Sequence, residues 1–161
     1  METNTLIFSK LQEVLNLFVN DFISTYKSYL IRDDKKASGN LIRSLRPVTI
    51  EFSNNKMVGE IYIANYWKYV EYGRKPGKFP PIKNILNWIK IKPVIPRPMN
   101  GLKPPTQEQL AFLVSRKIAR DGIKAGNQFT DALNDSWNRW KDLISNAITA
   151  DLENTVELIK L

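Results

Sequence analysis

From Phe129 onward, apolar side chains return every third or fourth residue, at Phe129, Leu133, Trp137, Trp140, Ile144, Ile148, Leu152, Val156 and Ile159. That spacing draws one stripe along an α-helix of about eight turns. A chain of 161 residues is long enough for one domain around a single core. So long an apolar helix should overhang such a domain. Either another subunit covers its distal part, which is the favoured expectation, or the helix bends back onto its own core.

Residues 1–31 predict a second long helix, with Ile7, Leu11, Val14, Phe18, Phe22 and Tyr26 on one face and Asn4 or Thr5 as its cap. Its polar positions are mostly uncharged. That suits a helix partly covered by a neighbour, although an ordinary domain helix is the simpler account. Arg32 to Gly39 reads as a solvated linker, and its acidic pair, Asp33 and Asp34, sits among Arg32, Lys35 and Lys36. A neutralised surface loop is a better account of that pair than a metal site, which needs more oxygen ligands.

Residues 46–64 predict a β-hairpin. Val48, Ile50 and Phe52 alternate with polar residues, Gly59, Ile61 and Ile63 repeat that period, and Asn54-Asn55 supplies the turn. Tyr66–Tyr72 reads as a short aromatic helix stopped by Gly73. Tyr69, Val70 and Tyr72 are expected to close a core. Eight of the nine prolines then fall between Pro76 and Pro105. They frame a short amphipathic helix on Ile82, Ile85, Leu86 and Ile89 that starts behind Pro81. Residues 73–105 are thus basic, proline-rich loops around a short helix.

Residues 106–161 hold two helices. Thr106 and Gln109 propose a capping box for the first, whose stripe is Leu110, Leu113, Val114 and Ile118 and which ends at Gly122. The whole predicts one α+β domain over 1–161. It has a long N-terminal helix, a small antiparallel sheet built on a β-hairpin, a short central helix and two C-terminal helices, of which the last is long.

The chain contains no Cys and no His. This excludes disulfides and thiolate chemistry and removes the usual general base at neutral pH and the commonest metal ligand. Carboxylate-only, Ser-Lys and Lys Schiff-base chemistry remain formally open. Asp131 with Asp135, and Glu153 with Glu157, share helix faces, but no third ligand accompanies either pair. Both are read as solvated faces rather than a two-metal site. The expectation is no enzyme, no cofactor and no metal.

The net charge of +8 is concentrated in one segment. Residues 66–104 carry nine of the 24 basic residues against a single acid, Glu71, so the remainder holds 15 basic and 15 acidic residues and is neutral. The positive field should therefore come from one surface. Gly73-Arg74-Lys75-Pro76-Gly77-Lys78 superficially suggests a phosphate loop, but the glycine spacing is short, Phe79 replaces the hydroxyl and Pro76 removes a donor. Nucleotide binding is rejected. Non-specific contact with DNA through this segment stays open, with the aromatic residues near it as stacking platforms. Trp88, Trp137 and Trp140 are assigned to core or interface packing.

The order Gly39-Asn40-Leu41-Ile42-Arg43-Ser44-Leu45, hairpin, Tyr69-Val70-Glu71-Tyr72-Gly73, then Arg74 to Pro81 leading into Ile85 and Trp88, resembles the tail-completion and minor tail component proteins of tailed phages and prophages. Ala111-Phe112-Leu113-Val114, Arg116 to Gly122, Phe129 and Ala132 continue the resemblance, which spans residues 38 to 135. The chain departs from the pattern between Gly122 and Phe129, where relatives often have a proline. Its Pro93–Pro105 loop and long last helix are also unusual.

The resemblance implies a structural virion protein, made in the cytoplasm of a bacterial host. It would form a ring of roughly six or twelve copies at the head-to-tail junction or the top of the tail, against portal, neck or tail proteins. The implied subunit or ring interface comprises Arg74, Lys75, Pro76, Lys78, Phe79, Pro96, Arg97, Trp140, Ile148, Leu152 and Val156. Lys75, Lys78, Lys92 and Arg97 are candidates to face packaged DNA. The alternative is a small DNA-binding accessory protein, and a carboxylate-only hydrolase ranks below both. No membrane span is expected, and the N-terminus lacks the basic and apolar regions of an export signal.

Overall fold

The computed structural model describes residues 8–53, 56–92, 94–96, 98 and 103–159, and among them the side chains of all but 49, 51–53, 56, 158 and 159. Asn4, Thr5, Ile7, the Asn54-Asn55 turn and Arg97 lie outside the described residues, as do the side chains of Phe52 and Ile159. In chain order the elements are α1 (Ser9–Arg32), α2 (Asn40–Ser44), β1 (Arg46–Ser53), β2 (Lys56–Tyr62), α3 (Trp67–Tyr72), α4 (Ile82–Ile91), α5 (Gln107–Asp121) and α6 (Gln128–Ile159). The fold is α+β, with a single antiparallel pair, β1–β2, among the described residues.

The two long helices pack as an antiparallel pair, as four contacts in order along them show. The Gln128 Nε2 donates to Asp33 at 3.0 Å, the Tyr29 hydroxyl donates to Asp135, Arg139 Nη2 donates to Asp21 at 2.7 Å, and Asp151 accepts from the Leu11 backbone N–H at 2.8 Å. The expected overhang is therefore smaller than the sequence suggests. The length of α6 is matched by α1 as far as Asp151, and only Leu152–Ile159 runs past the start of α1.

The face that α6 turns to α1 also differs from the predicted stripe. The buried positions are Ala132, Ser136, Ile144, Ala147 and Asp151, with Phe129 packed against the core. Small side chains at the seam let two helices approach closely, so the large residues are displaced to its flank. Leu133, Trp137, Ile148 and Leu152 each follow a seam residue by one position and stay exposed, as does Val156. In α5 the same substitution occurs: Ala111 and Ser115 are buried, whereas Leu113 of the predicted stripe is exposed.

The core lies where α1 meets the hairpin, α2 and the start of α6. It contains Val19, Phe22, Ile23, Tyr26, Leu30, Leu41, Leu45, Ile50 and Ala132. Burying each large side chain of this set contributes about 1.5–3 kcal/mol. Phe129 packs against it, edge-on to Phe22 at 5.0 Å and to Tyr26 at 5.4 Å, with Trp67 at 4.8 Å. In the sheet Pro47 pairs with Ile61 and Ile50 with Gly59, so β1 gains one residue over β2 between them. That bulge reverses the phase of the alternation, which buries Ile50 but leaves Val48 exposed, against the sequence expectation.

The first turn of α1 is capped from the far end of the chain: the buried Asp151 carboxylate accepts from the Lys10 and Leu11 backbone N–H groups at 3.3 and 2.8 Å. Replacing Asp151 by Ala should cost about 1–2 kcal/mol, the usual range for a lost helix cap. It should also fray both helix ends. Urea unfolding followed by far-UV circular dichroism measures the loss, and an unchanged midpoint would remove the capping role.

Candidate assembly surfaces

Three features carry the residues singled out by the sequence: the loop after Gly73, the cleft beneath α4, and the flank of α6. The loop is positioned by an isolated antiparallel bridge between Arg74 and Ile123, with N–O distances of 2.9 and 2.8 Å. Gly77 N–H donates to Ala119 O at 2.7 Å, which fixes the turn over the end of α5. Arg74 is half-buried, and its Nη2 donates to Lys78 O at 2.5 Å, so the guanidinium holds the loop closed. Lys75, Pro76 and Lys78 are exposed. Phe79 is half exposed and leans on the equally open Phe112, with ring centroids 6.3 Å apart. Pro96 is half-buried.

Glu71, the lone acid of the basic segment, is 1% exposed. Its carboxylate accepts from Phe129 N–H at 2.8 Å, Thr130 N–H at 3.0 Å and the Thr130 hydroxyl at 2.6 Å, while its backbone O accepts from Gly126 and Asn127 N–H. The carboxylate thus caps α6 from another helix, where negative charge is favoured by the helix dipole. Burial, with the Glu71 charge second, pushes the Tyr26 phenol above its ordinary range and keeps it neutral. The Glu-Tyr-Gly word is therefore architectural in this chain. Tyr69 and Tyr72, expected to close a core, are each 65% exposed.

The cleft lies between the 34–37 linker, α3 and α4 and encloses about 430 Å3. Tyr69, Val70, Ile85 and Trp88 form an apolar floor, and Lys35, Lys36, Lys92 and Lys124 stand around it. A second hollow continues it along α4 past Asn84, Asn87 and Ile91, sharing Lys35, Lys36, Tyr66 and Trp88. Lys92 Nζ donates to the backbone O and the carboxylate of Asp34, so this cation pins the linker to α4. Asp33 is held at a pKa of about 2, well below the usual carboxylate value, first by hydrogen bonding to Arg32 and then to Gln128. The two acids of the linker are thus neutralised in place, and the lysines give the cleft its sign.

Sequence reading missed this cleft because Lys35 and Lys36 sit in a stretch without apolar periodicity. The legible signal was that Tyr66, Tyr69 and Trp88, on or just before short helices, exceed what one small core can bury.

On α6, Trp140 is half-buried with its indole beside Asp21, whereas Trp137, Leu152 and Val156 are each 50% exposed. Phe18 of α1 extends this strip, its ring edge-on to Trp137 at 6.3 Å. Of the carboxylate pairs, Asp135 is bonded to Tyr29 rather than simply solvated, and Glu153 and Glu157 are exposed. No group of three or more Cys, His, Asp or Glu suited to a metal ion occurs among the described residues. No helix among them is long and apolar enough to cross a membrane. No protein-family model, curated protein or solved structure matches the chain.

Proposed function

We propose that the protein is a non-enzymatic structural subunit of a tailed phage, made in the host cytoplasm and built into the virion. It forms a ring of roughly six or twelve copies at the head-to-tail junction or the top of the tail, joining portal, neck or tail proteins around the DNA passage. The observation that carries the reading is the exposure of Leu133 and Trp137 near the start of α6 and of Ile148, Leu152 and Val156 near its end, on the flank of a formed helix seam. Large apolar side chains left open in two such groups are surfaces for a partner to cover. The order of motifs from Gly39 to Ala132 supplies the phage context.

The carboxylates support the same reading, because the buried ones are engaged in holding helices together. Glu71 caps α6, Asp151 caps α1, and Asp33, Asp34 and Asp21 pair with Arg32, Lys92 and Arg139. Quantitative mass spectrometry of purified virions tests the proposal. The expected result is a fixed, low copy number per particle, and absence of the chain from mature particles would refute it.

A second reading, non-specific DNA contact, is favoured by Lys75 and Lys78, whose side chains are exposed and form no ion pair among the described residues. It expects duplex affinity that falls steeply with salt.

A further inference from the structure

We infer that the end of α6 in one copy docks into the lysine-rimmed cleft of the next, so that copies join head to tail. The inference rests on the ring reading above and names the contact that would build the ring.

The two surfaces are complementary in sign and in apolar content. Between Lys141 and Lys160 the chain has four acids, Asp142, Asp151, Glu153 and Glu157, and no base. Asp151 is used internally as a cap. The row Ile148, Leu152 and Val156 is exposed, and the exposed pair Glu153 and Glu157 runs beside it, one position on. A helix thus presents an apolar ridge edged by carboxylates. The cleft presents the reverse, an apolar floor with Tyr69, Ile85 and Trp88 between Lys35, Lys36 and Lys124. The acid that lines it, Asp34, is already paired with Lys92, and the adjoining Asp33 with Arg32. Opposed charge of this kind sets partner choice and register.

A chain cannot make this contact with itself. Gln128 at the start of α6 is bonded to Asp33, at the rim of the cleft. Leu152 to Glu157 follow on the same helix, which at 1.5 Å per residue puts them about 36–44 Å away. Donor and acceptor surfaces therefore sit at opposite ends of an elongated molecule. Joining them is a heterologous contact, the kind that yields closed rings when the rotation per copy closes.

The test is a charge swap in the full chain, followed by sedimentation velocity over a range of concentrations. One variant carries Lys35→Glu and Lys36→Glu, the other Glu153→Lys and Glu157→Lys; all four side chains are exposed, and circular dichroism verifies the fold. In each variant alone the contact becomes like-charged, and self-association should weaken by at least about tenfold. An equimolar mixture re-pairs opposite charges at every contact and should recover association to within about threefold of the unaltered chain. Should either variant misfold, Glu153→Gln with Glu157→Gln provides the neutral comparison and should show an intermediate loss. Association of both variants equal to that of the unaltered chain would overturn this contact while leaving the ring reading intact. So would loss of duplex DNA retention on reversal of the lysines with association unchanged. An unaltered chain that stays monomeric throughout would overturn both.

Discussion

Glu71→Ala should destabilise the protein by about 3–5 kcal/mol, the sum of two orphaned backbone donors, a lost hydroxyl acceptor and a cavity. The physical reason is that the first turn of α6 is capped from another helix. Phe129 and Thr130 N–H, which an N-cap side chain two or three residues earlier ordinarily satisfies, point to a carboxylate on α3. That carboxylate is buried, so water cannot replace it at no cost. Because Phe129 is also the hub of the aromatic cluster, fraying the first turn loosens Phe22, Tyr26 and Trp67 with it. Glu71→Gln preserves shape and one acceptor oxygen and should lose about 2 kcal/mol. Urea unfolding gives both values, and a loss below about 1 kcal/mol for the alanine variant would contradict the capping account.

Gly73→Ala should be of similar size, about 3–5 kcal/mol, through backbone strain and a direct clash. Gly73 has φ +66° and ψ −151°, a conformation that residues with a Cβ avoid, and an added Cβ would lie 2.1 Å from Ile123 O. Gly122 faces it across the bridge with φ +75°, and its Cβ would lie 2.3 Å from Arg74 O. The paired glycines therefore let two backbones meet at Arg74 and Ile123, and this contact fastens α4 and α5 to the rest. Gly77→Ala is the control: φ is +133° but nothing lies within 4 Å, so strain without a clash should cost only about 1–2 kcal/mol. Hydrogen exchange should show Arg74 and Ile123 amides losing protection in Gly73→Ala and keeping it in Gly77→Ala. Equal effects of the two substitutions would remove the clash argument.

Much of the architecture was legible because local signals agreed. The capping box at Thr106 and Gln109 forms as written, α4 spans Ile82–Ile91 behind Pro81, and Gly73 and Gly122 end their helices. Periodicity located both long helices and, on α1, the buried Phe22 and Tyr26, but on α6 it missed most of the buried face. Ala132, Ser136 and Ala147 weigh little in an apolar pattern, yet close helix approach selects them for the seam and sends Leu133, Trp137 and Ile148 outward. Val48 was misjudged because a one-residue bulge shifts the strand phase, and such an insertion leaves no mark in the alternation itself.

The caps of α1 and α6 were invisible for a different reason. Asp151 and Glu71 act across about 140 and 58 positions of sequence, and no local rule connects them to the turns they satisfy. Among the candidate interface residues, Lys75, Lys78, Phe79, Leu152 and Val156 emerge exposed. Arg74 and Lys92 proved to hold loops in place, which spacing alone does not reveal.

Assembly is read most directly by native mass spectrometry of the intact chain across a concentration series. One closed species of fixed copy number, growing at the expense of monomer and dispersed by high salt, is the predicted spectrum. A monomer at every concentration, or an open-ended ladder of sizes with no preferred number, would contradict it.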